Sequence, residues 1–181
     1  MRWMIASDIH GSALWCARLL EAFDREGADR LLLLGDLLYH GPRNALPEGY
    51  APMETAALLN ARRGRVLGVR CNCDAEIDQA VLQLPLTAEY CLLTAGERTV
   101  FATHGHVWNR DRLPPLCPGD ILLQGHTHVP SWDETPEGVR IFNPGSVSIP
   151  KNGTMRGYLL LEGARFTWKT LDGEEYHRFD A

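Results

Sequence analysis

The sequence predicts an α/β protein in which two β-sheets pack face to face and helices lie on the outside. The first observation is that the first seventy residues alternate strand, helix, strand, helix and strand, which is typical of a largely parallel sheet covered by helices. The second is that the rest of the chain is rich in strand patterns. The third is that several apolar runs end in Asp, Asn or His, as at the ligand-binding edge of such a sheet.

In the first half, apolar spacing and end signals define five elements. Ala13, Cys16 and Leu20 recur at helical spacing, Ser12 can cap the start of that helix, and Gly27 can end it. Short apolar runs that stop at Asp or Gly are typical of strands. The predicted elements are strands Arg2–Ser7, Leu31–Leu34 and Val66–Val69 and helices Ser12–Glu26 and Pro52–Arg63.

The second half is predicted to be mostly strand, with two short helices. The predicted strands are Tyr90–Leu93, Thr99–Ala102, Ile121–Leu123, Val139–Phe142, Tyr158–Leu161 and Arg165–Thr170, and the helices are Glu76–Leu82 and Asn109–Leu113. This order, alternating β and α followed mostly by β, favours two stacked sheets with outer helices.

Size and composition exclude several classes of protein. The 181 residues are expected to form a single domain over residues 1–181, and 45% apolar with 23% charged residues exclude a disordered or coiled-coil chain. A net charge of −5 leaves no basic footprint for nucleic acid or anionic membranes. Asp8 and His10 interrupt the apolar stretch that a signal peptide needs, and Leu31–Leu34 is too short to cross a bilayer. The number of cysteines, five, is odd, which favours free thiols in a reducing compartment. We therefore expect a cytoplasmic protein, and from the short apolar runs we expect no membrane segment.

Five of the apolar runs are followed by residue types that bind metals. In open α/β sheets, ligand sites gather on the loops at the carboxyl ends of strands, so these five loops can converge on one point. A single His or Gly-Asp after a strand is usually a turn or core residue, but five such loops in this order are not expected to arise independently. The runs IAS, LLLLG, VLGVR, VFAT and ILLQG lead to Asp8 and His10, to Asp36, to Asn72, to His104, and to His126 and His128.

These segments resemble a known family. The motifs Asp-x-His, Gly-Asp, Asn, His-Gly-His and Gly-His-Thr-His, with SDIHGS, NCDAEIDQ and FNPGSVSIPKNG around them, resemble the calcineurin-like metallophosphoesterases and, among these, the small bacterial YfcE-type phosphodiesterases. The resemblance runs from about residue 4 to residue 153. It implies a four-layer αββα sandwich of two mixed sheets flanked by helices, with two divalent metal ions in a cleft. The implied ligands are Asp8, His10 and His128 for the first metal, Asn72, His104 and His126 for the second, and Asp36 as the bridge.

The residue types suit two divalent cations. A carboxylate can bridge two ions, a neutral imidazole binds strongly, and an Asn carbonyl adds a ligand without adding charge. Such mixed nitrogen and oxygen ligands favour manganese, with iron, zinc, nickel and cobalt as alternatives, over calcium. The resemblance implies a phosphodiesterase in which a metal-bridged hydroxide attacks phosphorus in line. Two divalent ions would bring the net charge of −5 to roughly −1 and make the cleft attract anions.

Cys73 departs from the pattern of many relatives, which have His directly after the Asn. That His is generally assigned to stabilising the transition state or protonating the leaving oxygen. Cys73 stands at its position, as in the YfcE-type subgroup, and a thiol is a weaker hydrogen-bond donor. The hypothesis is that Cys73 is a catalytic residue suited to good leaving groups, and the alternative is a packed, inert thiol.

Cys71 is a second departure, since relatives usually have Gly just before the Asn. If this position needs a positive φ angle, Cys71 strains the loop by about 1–2 kcal/mol and misplaces Asn72. If the backbone is ordinary there, any small residue fits. The Cys71–Cys73 spacing is also compatible with a redox pair or a soft-metal site.

Substrate and partners are less constrained. The Pro/Gly-rich loop over residues 40–51 can form a rim or lid, and its Arg43 and Asn44 either contact a phosphate or nucleoside or form a rigid surface turn. We expect a small-molecule phosphodiester as the substrate. The alternatives are a phosphomonoesterase on the same metals and a non-catalytic scaffold like the vacuolar sorting subunit that resembles this family. Scaffolds lose ligands, whereas all seven positions here are competent. The resemblance alone suggests a homodimer or homotetramer.

Overall fold

The computed structural model describes residues 1–74 and 76–181, and within them the chain forms eleven strands and three helices. The helices are α1 (Ala13–Arg25), α2 (Pro52–Asn60) and α3 (Glu76–Val81). The strands are β1 (Arg2–Ala6), β2 (Arg30–Leu33), β3 (Val66–Gly68), β4 (Tyr90–Ala95), β5 (Arg98–Thr103), β6 (Ile121–Leu123), β7 (Ser131–Glu134), β8 (Arg140–Asn143), β9 (Gly157–Glu162), β10 (Arg165–Thr170) and β11 (Glu175–Asp180).

The strands form two mixed sheets. The first has the order β11-β10-β9-β1-β2-β3, in which β1, β2 and β3 are parallel and the other pairs are antiparallel. The second has the order β4-β5-β6-β8-β7, in which β5, β6 and β8 are parallel and the two outer strands are antiparallel. Each sheet therefore has three parallel strands whose carboxyl ends lie at one edge, which is where ligand sites form.

An apolar interface between the two sheets forms one core. Alternation along β1 and β2 sends Ile5 and Leu32 to this side, where they pack with Phe142 of the second sheet and with Trp168, all at most 1% exposed. Burying side chains of this size stabilises a fold by about 1.5–3 kcal/mol each. The ends of the sheets are thereby held in a fixed relation.

The outer layers of the sandwich differ from each other. On the first sheet, α1 and α2 cover a second core that includes Met4, Leu31 and Phe23, and Ser12 caps α1 by accepting the Trp15 backbone N–H at 3.2 Å. Outside the second sheet, the irregular segment that contains Trp108, Leu113 and Leu116 covers the buried side chains of β5, β6 and β8. The predicted sandwich of two mixed sheets is confirmed, and the layer outside the second sheet is irregular chain.

One predicted helix is wrong. Residues Asn109–Leu113 form a tight turn, because the Asn109 side-chain oxygen accepts the backbone N–H groups of Asp111 and Arg112 at 3.0 and 3.1 Å. Asn often bonds its own backbone in this way and so competes with helix formation. Pro114, directly after Leu113, also disfavours a helical conformation before it.

Two strands are absent from the sequence prediction. β7 pairs with β8 at the edge of the second sheet, and its sequence SWDE is polar and mostly exposed. β11 pairs with β10 at the edge of the first sheet, and a register shift between Trp168 and Lys169 interrupts that ladder. Neither segment has a clean apolar alternation, because an edge strand has fewer neighbours to pack against.

All five cysteines are free thiols, as their odd number suggests: Cys16, Cys71, Cys73, Cys91 and Cys117. Across the part of the chain that the structure describes, no helix is long and apolar enough to cross a bilayer.

Candidate metal centre

The predicted metal ligands lie at the carboxyl ends of the parallel strands. Asp8 and His10 follow β1, Asp36 follows β2, and Asn72 follows β3 by a few residues. On the second sheet, His104 follows β5, and His126 and His128 follow β6. Because both sheets end at the same edge of the sandwich, the side chains meet between them.

Four buried side chains form the first donor group, which consists of Asp8, His10, Asp36 and His128. Their potential ligand atoms all lie within 4.8 Å of one another. His10 Nε2 is 3.2 Å from His128 Nε2, 3.4 Å from Asp36 Oδ2 and 3.7 Å from Asp8 Oδ1. His10, Asp36 and His128, which are far apart in the chain, thus lie around one point together with Asp8.

The second donor group consists of Asp36, His104 and His126. His104 Nε2 lies 3.1 Å from His126 Nδ1 and 3.7 Å from Asp36 Oδ1. Asp36 therefore presents Oδ2 to the first donor group and Oδ1 to the second. Asn72 is exposed on the wall of the same cleft, where its side-chain amide donates to Cys73 Sγ at 3.1 Å.

Backbone carbonyls orient three of the imidazoles. The Nδ1 atoms of His10, His104 and His128 lie 2.8, 2.7 and 2.6 Å from the carbonyl oxygens of Tyr39, Leu34 and Ile149. Each Nδ1–H donates outward, so each Nε2 lone pair is free to face the cleft. Burial lowers the pKa of His104 and of His128 to about 4, and burial also lowers that of His10, so these imidazoles are neutral near pH 7.

Buried acceptors without donors show that the pocket suits cations. Two acceptor nitrogens, those of His10 and His128, face each other at 3.2 Å. Asp8 Oδ1 and Asp36 Oδ1 are buried without a hydrogen-bond partner. Burial and the charge of Asp36 raise the pKa of Asp8 well above its ordinary value, since neighbouring buried carboxylates repel. The residues present therefore fit divalent cations, which would satisfy all of these atoms together.

Left-handed backbone is concentrated at the same residues. Six of the described non-glycine residues have positive φ, and the sixth is Asn152, a type that tolerates this conformation. The other five are Asp8 (60°), His10 (50°), Asp36 (52°), His126 (65°) and His128 (63°). A non-glycine residue in this region costs about 1–2 kcal/mol, and such strain clusters at functional sites.

Glycine allows the close approach of these loops. A Cβ on Gly125 would lie 2.0 Å from Ser7 Oγ and 3.0 Å from Asp8 Oδ2. The packing against Gly35 is similar, since a Cβ there would lie 2.5 Å from the Cys71 Cβ. The glycines in the Gly-Asp and Gly-His-Thr-His motifs are thus needed for space beside the donor groups.

The segment Asn143–Ser146 supports the site, as its position beside the Gly-His-Thr-His loop suggests. The Asn143 side-chain amide donates to the Gly125 carbonyl at 2.8 Å and to Thr127 Oγ1 at 3.0 Å. The hydroxyls of Ser146 and Ser148 donate to the Asp8 carbonyl at 2.9 and 3.1 Å. These contacts fix the left-handed backbone of Asp8 and the loop that carries His126 and His128.

The two cysteines beside Asn72 have different environments. Cys71 does not have a positive φ, so the backbone there is ordinary and a small side chain is accommodated without strain. Its sulfur accepts the N–H groups of Cys73 and Asp74, both at 3.0 Å, and it lies within 4.8 Å of the ligand atoms of Asp36 and His104. Burial raises the pKa of the Cys71 thiol, which therefore stays protonated. Cys73 is half-buried and faces the cleft.

The open part of the cleft has a volume of about 800 Å³. Its walls include Arg43 and Asn44, and Asn44 also braces its own loop by donating to the His40 carbonyl at 2.8 Å. Tyr39 and Lys151 line it as well, and Lys151 lies in the segment FNPGSVSIPKNG. His106 lies nearby, with its ring centroid 5.5 Å from that of His104.

A two-sheet α/β sandwich with an Asp/His cluster at the ends of its parallel strands defines a metallophosphoesterase. Comparison with known families agrees. Residues 1–165 match the Calcineurin-like phosphoesterase superfamily domain, and the chain belongs to that family of hydrolases.

Similar proteins come from several bacteria. The chain is 48% identical over 162 residues to phosphodiesterase YfcE of Escherichia coli (strain K12). The aligned region covers 90% of this chain and 88% of that protein. It is 26% identical over 168 residues to the probable metallophosphoesterase YsnB of Bacillus subtilis (strain 168), covering 89% of this chain and 83% of YsnB. The solved structure of YfcE, a phosphoesterase from E. coli, has a TM-score of 0.93 at 44% identity and covers 99% of both chains.

Proposed function

We propose that the chain is a dinuclear metal-dependent phosphodiesterase that hydrolyses small-molecule phosphodiesters. The observation that carries this proposal is the position of Asp36, whose two carboxylate oxygens face two separate groups of imidazole nitrogens. Two divalent cations held there would lower the pKa of a water molecule and stabilise charge on the phosphoryl oxygens. The name of the E. coli relative, a phosphodiesterase, supports a diester as the substrate.

Each protein group has a defined task in this proposal. Asp8, His10 and His128 would hold the first cation, Asn72, His104 and His126 would hold the second, and Asp36 would contribute to both. The His126 backbone N–H donates to Asp8 Oδ2 at 3.1 Å, which leaves Oδ1 for the cation. The nitrogen and oxygen donors suit manganese, with iron, zinc, nickel and cobalt as alternatives.

The number of domains, the cellular compartment and the scaffold alternative can be considered together with the proposed activity. We propose that residues 1–181 act as one domain, because β9 pairs directly with β1 and continues the first sheet into β10 and β11. Five free thiols suit a reducing compartment such as the cytoplasm. The retention of all seven ligand types argues against a scaffold that has lost catalysis.

The test is hydrolysis of bis-p-nitrophenyl phosphate by metal-stripped protein with manganese added back. We expect the stripped protein to be inactive and manganese to restore activity by about 100-fold or more, because the cations supply most of the charge stabilisation. The matched monoester p-nitrophenyl phosphate should be the poorer substrate by at least about tenfold in kcat/KM. A reversed preference would favour the phosphomonoesterase alternative, and no recovery with any of the five metals would contradict the proposal.

Cys73 is proposed to act at the leaving group. Its sulfur lies in the cleft beside Asn72, and it is a weaker donor than an imidazole at that position. Because general acid catalysis contributes about 10²–10⁴-fold, Cys73→His should raise turnover of alkyl diesters relative to aryl diesters by roughly tenfold or more. Cys73→Ser, which keeps the size but lacks the imidazole, is the control. An unchanged alkyl-to-aryl ratio in Cys73→His would assign Cys73 to packing.

A further inference from the structure

We propose that the natural substrate carries a second phosphate group besides the scissile diester, and that Arg43 and Lys151 bind it. This inference rests on the phosphodiesterase function proposed above and narrows the substrate class. It follows from the placement, anchoring and charge of two cationic side chains that the metal site does not use.

The two cations lie on separate segments of the chain that line one cleft. Arg43 lies in the loop after β2, and Lys151 lies between β8 and β9, yet both line the cavity that contains Asp36, His126 and His128. Both side chains therefore line the same cavity as the proposed metal ligands.

The backbone fixes the base of each side chain. The Lys151 N–H donates to the His128 carbonyl at 3.3 Å, and Thr154 donates to the Lys151 carbonyl through its N–H at 3.0 Å and its hydroxyl at 2.7 Å. Arg43 is flanked by Pro42 and by Asn44, whose backbone N–H and side-chain amide both donate back within the loop. The two cations are thus carried on braced turns beside the donor groups.

The charged heads are available to a ligand. Neither Arg43 nor Lys151 forms an ion pair with a carboxylate among residues 1–74 and 76–181. Exposed arginines elsewhere commonly do so, as Arg2 does with Glu162 at 2.8 Å and Arg140 with Glu134 at 2.8 Å. Both residues are exposed and line the cleft.

Charge balance in the cleft favours a polyanionic substrate. Among the residues that line the cavity, Asp36 is the acidic one and Arg43 and Lys151 are the basic ones, with Asp8 buried beneath. Asp74, buried beside Asp36, is a third carboxylate, so these groups leave about one negative charge before cations bind. Two divalent cations add four positive charges, and a diester with one hydroxide ion removes only two. A second phosphate group would neutralise the remainder, since opposite charges in a cleft attract most strongly when they match.

A matched pair of substrates tests this inference. Thymidine 5′-(p-nitrophenyl phosphate) is compared with its 3′-phosphorylated form, because the two differ only in the second phosphate. The full-length manganese-loaded chain should hydrolyse the 3′-phosphorylated form with at least tenfold higher kcat/KM, mostly through KM. In Arg43→Gln and in Lys151→Gln this preference should fall, and in the double variant it should approach one. Arg63→Gln removes a charge from an exposed arginine after α2 and should keep the wild-type preference.

Each outcome decides something different. Equal kcat/KM for the two substrates in the wild-type protein would overturn this inference alone. A loss of the same size on both substrates in the variants, suppressed by salt, would mean general attraction of anions and would also overturn it. Hydrolysis of bis-p-nitrophenyl phosphate but of neither thymidine substrate would overturn this inference alone, and hydrolysis of none of the three would overturn the proposed function with it.

Discussion

Asp36→Asn is expected to lower manganese-dependent hydrolysis of bis-p-nitrophenyl phosphate by roughly 10³-fold, the upper end of what removal of one central electrostatic group costs. Asp36 is the residue that presents oxygens to both donor groups, at 3.4 Å from His10 Nε2 and 3.7 Å from His104 Nε2. Asn keeps the shape of the side chain but replaces one anionic oxygen with an amide that repels cations. The variant should therefore fold and yet fail to hold two metals.

Metal content separates this result from unfolding. Elemental analysis should find two metals per wild-type chain and at most one in Asp36→Asn, while the far-UV circular dichroism of the two proteins stays the same. Asp111→Asn is the matched control, because it makes the same chemical change at an exposed turn and should behave as wild type. Full recovery of Asp36→Asn with added manganese would contradict the bridging role.

Trp168→Ala is expected to lower the free energy of unfolding by about 3–5 kcal/mol, the usual cost of removing a large buried aromatic side chain. Trp168 is fully buried between the sheets and packs edge to face on Phe142 at 5.0 Å. Its indole N–H also donates to the Asn143 carbonyl at 2.8 Å, and Asn143 holds the loop of His126 and His128. The substitution should therefore weaken both the core and the metal site.

Trp168→Phe distinguishes the two contributions. It keeps most of the aromatic bulk and loses the hydrogen bond, so it should cost less than the Ala variant in urea denaturation, by at least about 1 kcal/mol. Manganese titration should nevertheless show weaker binding in Trp168→Phe, because the Asn143 carbonyl loses its donor. Wild-type manganese affinity in the Phe variant would show that the hydrogen bond does not support the site, and equal destabilisation of both variants would show that packing is not the main term.

The donor residues are predictable from sequence because they follow apolar runs. His104 comes directly after a buried strand, and Asp8 and Asp36 come two and three residues after one. Parallel strands in one sheet deliver such residues to the same edge. The same reasoning recovers the two-sheet sandwich. Lys151 lies in the segment FNPGSVSIPKNG, which carries the family resemblance, but it does not directly follow a strand, so its position at the cleft depends on the path of the chain after β8.

The errors in the fold predicted from sequence lie at edge strands and turns. β7 is recognisable only through its pairing with β8, since the sequence SWDE has no apolar alternation of its own. At Asn109 a side-chain hydrogen bond to the backbone decides in favour of a turn over a helix. The positive φ angles at the site also cannot be predicted from the sequence, because Asp and His adopt negative φ in most proteins. Tertiary contacts impose the left-handed conformation on these residues here.

The left-handed residues at the metal centre have a consequence for protein design. A sequence optimised for the stability of this backbone alone would place Gly at Asp8, His10, Asp36, His126 and His128, because Gly adopts positive φ without steric conflict. The natural sequence instead keeps bulky polar side chains at all five positions. Redesign of this scaffold for backbone conformation alone would therefore erase its proposed ligands, unless the identity of those five residues is held constant.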